Sequence, residues 1–493
     1  MKSVNMRGAT WDSVFLTIVK LVTTLTAILQ TKILSVGLSL ADYGTYSQAN
    51  VIVSICTSIL LLGLGDAINY FYNNASNEYD ESKRITMVNT IYAIEIVIGI
   101  ALVFVILICR NGIASYFSND YLSIVVSVVA IKPMLDNLIY FYQVLFVSSG
   151  KAKIIAIRNL ILSICKLVSI GIAVHVFRSI IVIFIFLVLL DVIQMMFFAT
   201  YFSKNRFKVK PYKANLGYIR TIIAYGFPMG VFAITTALTR DIDKLVIGYM
   251  SDTETVAVYS NCAKVLPLDI IVVSFATVLI PYIMKYISSG NRKGSIELFK
   301  NYLKIGYYSV WIFGVAILVV ANQAICFLYS SEYLSGKVIF NIYIFDSMIK
   351  FASMHLILTA SGNARLLMRY SLLSLLANTV LNILLYYSLG IIGPAIATLI
   401  VTLGYTLVIL NKTLKVVNAK WKDIFEIKNM TIYILGLCFW GVVFKFVNNL
   451  MLKCNINQYV AMIVTMIGFG IMNLLSNHKS IKSVLQSINM LKL

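Results

Sequence analysis

The chain has 493 residues, of which 60% are hydrophobic and only 12% charged, and its formal net charge is +21. Soluble domains are about half apolar and about a quarter charged, so this composition cannot cover a soluble fold with polar surface. The positive charge therefore needs no nucleic acid to explain it, because basic loops flanking membrane spans on their cytoplasmic side supply it.

A spanning helix needs about 20 mostly apolar residues. In chain order the sequence supplies fourteen such runs, at 12–36, 45–71, 85–109, 121–148, 153–175, 179–202, 218–249, 255–286, 302–328, 334–360, 367–389, 391–411, 428–448 and 457–475. Backbone in hydrocarbon must bond internally, which leaves helices or a closed barrel. The runs are too long and continuous for the alternating strands of a barrel. The expected fold is thus an all-α polytopic membrane protein with 14 transmembrane helices.

The basic residues orient it. With the N-terminus inside, the inner segments collect Lys83, Arg84, Lys151, Arg292, Lys293, Lys420 and Lys422, together with a basic linker at 203–217. That linker carries Lys204, Arg206, Lys208, Lys210 and Lys213, and it suits contact with anionic membrane lipids. Only Arg110, Arg178, Lys337 and Lys453 fall outside, so both termini are expected in the cytoplasm. The opening MKSVNMRGATWDS lacks a small-residue cleavage pattern, and no removed signal peptide is expected.

Two short matches reveal a repeat. SGKAK at 149–153 returns as SGNAR at 361–365, and YGTYSQA at 43–49 resembles VAVYSNC at 256–262. The offsets are 212 and 213, which superimposes spans one to six on spans seven to twelve. Parallel repeats of this kind place substrate between the halves, which rock to alternate access. The expected organisation is two six-helix pseudo-repeat lobes around a central cavity, plus two extra C-terminal helices. In residues, that is an N-lobe at 1–202, the linker at 203–217, a C-lobe at 218–415, and helices 13–14 with the tail at 416–493.

Three stretches together carry a family resemblance. YGFPMGVFAITTALTRDIDKLVIGYMSDTETVAVYSNCAKVL (225–266) has a Gly-x-Pro start, an Asp before an apolar L-x-I-G and a V-x-x-Y-S-x-x-x-K segment. LADYGTYSQANVIVSICTSILLLGLGDAINYFY (40–72) is its counterpart in the first half, and SLLANTVLNILLYYSLGIIGPAIATLIV (374–401) holds N-x-x-L-N and G-x-x-G-x-A-x-A-T. These resemble the polysaccharide-export branch, including Wzx-type flippases, of the multidrug/oligosaccharidyl-lipid/polysaccharide flippase superfamily, over residues 10–415. Ala257 stands where that branch usually has Gly. The resemblance implies a bacterial inner-membrane flippase that moves undecaprenyl-diphosphate-linked oligosaccharide to the outer leaflet. It implies no enzyme chemistry, and polysaccharide polymerases or glycosyltransferases would be natural partners.

Such a cargo needs cations in a wet cleft, with Arg able to grip a diphosphate bidentately. LTRDIDKLVIGYM (238–250) puts Arg240, Asp241, Asp243 and Lys244 inside an apolar run. Helical spacing sets Arg240 near Asp243 and Lys244, with Asp241 at the flank. The four charges sum to zero, so an internal ion-pair network and a headgroup site are both open readings. Candidate headgroup contacts are Lys20, Lys166, Arg240 and Lys244, then Arg158, Lys264 and Lys350. Candidate ion-coupling or ion-pair acids are Asp136, Asp191, Asp241, Asp243, Asp269 and Asp346, which could serve Na⁺ or a proton. Lys132 with Asp136, and Asp346 with Lys350, sit four apart and are expected to pair within their helices.

Three alternatives remain beside the leading one. A drug or small-cation antiporter would favour an acidic interior, whereas the spans hold slightly more cations than acids. A flippase of the lipid-linked peptidoglycan precursor would suit the same number of spans. A polymerase or ligase would need a sizeable catalytic outer loop, and the outer loops here are short. His175, His355 and His478 are scattered, and the cysteines show no metal-ligand or disulfide spacing.

Overall fold

A computed structural model of the chain describes residues 6–61, 63–73, 81–149, 151–264, 266, 268, 270–478 and 480–482. Every regular element among them is helical. In order these are α1 Met6–Gly37, α2 Leu40–Leu61, α3 Leu64–Asn73, α4 Glu81–Tyr116, α5 Tyr121–Val129, α6 Lys132–Ser148, α7 Ala152–Ile172, α8 Ile180–Asn205, α9 Ile219–Met250 and α10 Thr253–Cys262. Then follow α11 Ile270–Ser288, α12 Arg292–Val319, α13 Ala321–Leu328, α14 Lys337–Ile349, α15 His355–Ala360, α16 Ala364–Leu389, α17 Gly393–Val417, α18 Trp421–Ile424, α19 Ile427–Lys453 and α20 Gln458–Ser476. By contact the chain divides into two compact units, Met1–Val258 and Tyr259–Leu493.

Among the described residues nine helices are long and apolar enough to cross a membrane, or ten if one bent pair is counted. One of the nine, Arg365–Val417, has 53 residues, far more than the ~30 Å hydrocarbon core can hold at 1.5 Å per residue. It folds back at Gly390, which takes φ +61°, and a Cβ on Gly393 would sit 2.1 Å from the Leu385 carbonyl oxygen. The two runs expected at 367–389 and 391–411 are the arms of this hairpin.

The second, fourth, seventh, eighth, ninth and tenth expected runs fall on interrupted helices. Gly63, at φ +70°, separates α2 from α3. Pro228 lies inside α9, where the segments Leu216–Pro228 and Gly230–Met250 meet at a bend of 44°. Proline lacks the N–H of the helical ladder and its ring crowds the carbonyl four residues back, so a bend there has a local cause. The eighth run is split between α10 and α11, and the tenth between α14 and α15.

In the first unit, α4, α6 and α8 enclose an apolar core built from Met87, Ile91, Leu138, Phe141, Leu145, Phe198 and Phe202. Helix α9 lies against α2, α3 and α4 of this unit. The basic linker is fastened here too. The Lys210 N–H donates to Asn89 Oδ1 at 2.8 Å, the Asn215 N–H to Thr90 Oγ1 at 3.0 Å, and Arg206 Nη2 to the Ser149 carbonyl at 3.0 Å. Tyr212 and Leu216 stay exposed beside its lysines, an arrangement that fits a membrane surface.

In the second unit, α19 is seated on α12 by an aromatic group of Tyr307, Tyr308, Trp311 and Tyr433. The Tyr433 hydroxyl donates to the Tyr308 carbonyl at 3.2 Å, which spares the buried phenol an unpaired proton. At the start of α19, Glu426 pairs with Lys300 and Lys304 of α12 and accepts from Asn429 Nδ2 at 2.6 Å.

Hydrogen bonds from Lys300 and then Asn429 hold the Glu426 carboxyl down at about 2. A depressed value makes the carboxylate's contribution complete above the ordinary range near 4.3 and lost as pH falls toward about 2. Glu426→Gln should therefore cost at most about 1 kcal/mol near neutrality, the pair being partly screened by solvent. Thermal melts of wild type and variant should differ by a constant amount above about pH 5 and converge in stronger acid. A gap that widens on acidification would contradict this.

Candidate functional site

The first unit holds two clusters of buried charge. Pro133 occupies the first turn of α6, where its missing N–H costs nothing, and sets the start of the helix beside Lys132. Lys132 is only 8% exposed. Its ammonium donates to Asp136 Oδ1 at 3.1 Å and to Asp191 Oδ2 of α8 at 2.5 Å. Gln194 Nε2 reaches Asp191 Oδ1 at 3.4 Å, and Lys166 Nζ of α7 lies 3.8 Å from the same oxygen. Asp191 thus joins α6, α7 and α8.

Burying an ion costs several kcal/mol unless its partners satisfy it, and here each buried charge has an opposite one in reach. Arg158 of α7 is held differently. Its guanidinium lies 4.7 Å from the centre of the Phe198 ring, and Nε and Nη2 are buried with no hydrogen-bond partner among the described residues. With Lys132, Lys166 and Arg158 set against Asp136 and Asp191, this region carries one positive charge in excess.

The second cluster joins α2 to α9. Ser54 Oγ donates to Asp241 Oδ2 at 2.8 Å, and Lys244 Nζ donates to Asp241 Oδ1 at 2.7 Å. Arg240 Nη2 lies 3.0 Å from Ser54 Oγ and 3.4 Å from Asp241 Oδ2. The expectation that Asp241 would sit at the flank is therefore corrected: Asp241 is the hub. Asp243, also buried, accepts the Lys244 backbone N–H at 2.8 Å. The reason is register, because Lys244 is one helical turn beyond Asp241 and adjacent to Asp243. The Asp241 side chain is 6% exposed and that of Arg240 61%, so the acid is structural while the guanidinium keeps donors free.

In the second unit, Lys350 Nζ bonds Asp346 Oδ2 at 2.6 Å across one turn of α14, as the spacing predicts. Asp346 Oδ1 is buried without a hydrogen-bond partner among the described residues. Lys264 is not inside a helix: it is exposed in the break after α10. Lys20 is exposed on α1. Asp269 lies outside the described residues. Within the first unit the candidates fall into separate groups. Lys166 and Arg158 share one cluster, Arg240 and Lys244 another, and Lys350 belongs to the second unit.

Sequence reading missed the bond between Lys132 and Asp191. Asp191 is the one acid in its apolar run, and a lone acid in hydrocarbon demands a cation on a neighbouring helix. It also missed Ser54, whose hydroxyl gave no signal in an apolar stretch. Asn378 and Asn382 of α16 are wholly buried, which their place in the N-x-x-L-N motif did not disclose. No group of His, Cys, Asp and Glu among the described residues could hold a metal ion.

Comparison with known proteins adds a family and a fold. No curated protein matches the chain. Among solved structures it is similar to the lipid II flippase MurJ in an inward closed conformation, at 15% identity and a TM-score of 0.71, covering 96% of this chain and 100% of that one. It is also similar to an inward-facing multidrug resistance MATE transporter of the MOP superfamily, at 13% identity and a TM-score of 0.66, over 80% of this chain and 94% of that one. A third is a MOP superfamily transporter from Pyrococcus furiosus, at 13% identity and a TM-score of 0.57, over 82% and 94%. These likenesses give the all-helical fold that those proteins share. The family model described as "Polysaccharide biosynthesis protein" matches residues 33–338, more than half of the sequence, and the chain belongs to that family.

Proposed function

We propose that this protein is a flippase that carries undecaprenyl-diphosphate-linked oligosaccharide from the cytoplasmic to the outer leaflet of the bacterial inner membrane. One observation carries the reading: a chain of the polysaccharide biosynthesis family has the fold of a lipid II flippase along that flippase's whole length. The two repeat halves, 1–202 and 218–415, rock about a cleft between them, and both termini stay in the cytoplasm. Lys20, Lys166, Arg240 and Lys244 are the headgroup contacts this reading favours, with Arg158, Lys264 and Lys350 next. Their cations neutralise a diphosphate while its polyprenyl tail stays in lipid. The lipid-linked peptidoglycan precursor is the second reading, favoured by the same coverage of MurJ.

Inactivating the gene in its host tests this. Lipid-linked repeat units should accumulate and stay shielded, in intact spheroplasts, from a membrane-impermeant glycan-oxidising reagent until the cells are lysed. If the units are reached from outside as in wild type, translocation is intact and the reading fails. Normal glycan with new drug sensitivity would point instead to an antiporter.

A further inference from the structure

Asp136, Asp191, Asp241 and Asp346 all have cationic partners. Glu95 does not. Helix α4 has 36 residues, and Glu95 sits about 21 Å from its start and about 32 Å from its end at 1.5 Å per residue. Val97, Ile100 and Phe104 are exposed on one side of the helix, while Tyr92, Glu95 and Gly99 are buried on the other. Glu95 is 6% exposed, and its Oε2 is buried with no hydrogen-bond partner among the described residues. One turn on, a Cβ added to Gly99 would come within 2.7 Å of Met134 Cγ on α6, so α4 packs closely on α6 along this face.

The charged groups on the helices packed against α4 are engaged elsewhere. On α6, Lys132 and Asp136 belong to the Asp191 network. On α9, Arg240, Asp241 and Lys244 close on Ser54 and one another, Asp243 takes a backbone N–H, and Arg220 lies at the exposed start of the helix. On α2, Asp42 holds Ser39. Helix α5 and the described side chains of α3 carry no charge, and in the turn before α9 Lys213 is exposed. The titratable group beside Glu95 is Tyr92, whose ring packs on Tyr142. A buried carboxylate without a cationic or hydrogen-bonding partner is disfavoured, whereas the neutral acid is tolerated.

We propose that Glu95 is a proton-binding site that loads and unloads in step with transport. Its carboxylate takes up one proton to give the neutral acid held in the packing described here. It returns that proton to water when the helices around α4 part. The coupling rests on the transporter reading above; the protonation does not.

Two measurements on purified full-length protein test it. Infrared spectra at neutral pH should show a protonated-carboxyl C=O band that shifts in D₂O and is missing from Glu95→Gln. In proteoliposomes, translocation of an undecaprenyl-diphosphate-linked disaccharide should run severalfold faster under an imposed pH gradient in wild type. Glu95→Gln, which mimics the neutral acid and so keeps the fold, should be insensitive to the gradient, and Glu95→Asp should keep part of the response. An unchanged band in Glu95→Gln, or an unchanged gradient response, overturns the proposal. If wild type moves no disaccharide lipid at all, the flippase reading fails, and the band alone then decides whether Glu95 binds a proton.

Discussion

Lys132→Met should destabilise the protein by about 3–5 kcal/mol, the cost of leaving buried charge uncompensated. Asp136 and Asp191 would then be left with Lys166, which lies 3.8 Å from Asp191, and the less direct field of Arg158. The Asp191 side chain is 2% exposed and cannot turn to water. Replacing both ends of the short bond, as Lys132→Met with Asp191→Leu, should recover most of the loss. Well-packed apolar residues often replace a buried ion pair at no cost. Melting of the four proteins in detergent gives the double-mutant cycle directly. A single-variant loss below about 1 kcal/mol would mean that the network is hydrated rather than buried.

The second large effect concerns backbone. A Cβ on Gly63 would stand 1.9 Å from the Gly226 carbonyl oxygen and 2.9 Å from the Gly230 nitrogen. Those are main-chain atoms of α9, so no side chain can swing aside. Gly63 also takes φ +70°, which penalises any Cβ even in open space. Gly63→Ala should lose about 2–5 kcal/mol, adding the overpacking cost to the conformational one. Gly362 provides the control, since it takes φ +77° with nothing near its absent Cβ. Gly362→Ala should lose only about 1–2 kcal/mol. Equal melting temperatures for the two variants would remove the close approach of α2–α3 to α9 as the cause.

Membrane residence and helical class were legible because composition and run length obey a solvent constraint that tolerates few exceptions. The breaks were less so. Gly63 and Pro228 were visible as residues, yet a break at a glycine depends on which backbone comes near, and Gly226 is 163 positions away. Ion pairs one turn apart, Lys132 with Asp136 and Asp346 with Lys350, could be read from spacing alone. The bond from Lys132 to Asp191 spans 59 residues and follows from helix packing, which spacing cannot supply. Asp241 was misjudged for a smaller reason: helical periodicity names a face, but the partner on α2 chose which acid on it became central. Glu95 was one acid among several in the sequence, and only the lack of a hydrogen-bond partner for its Oε2 among the described residues set it apart.

The way the first unit is tied together bears on how it is made. Lys132, Asp136, Lys166 and Asp191 all precede residue 219, and so do Asn89 and Thr90 with the linker amides of Lys210 and Asn215 that they hold. Every one of these ties can close while the rest of the chain, residues 219–493, is still being synthesised. At about 5–20 residues per second that remainder takes roughly 14–55 s, ample time for a helical unit to assemble. The nascent chain can thus neutralise these buried ions before α9 is made.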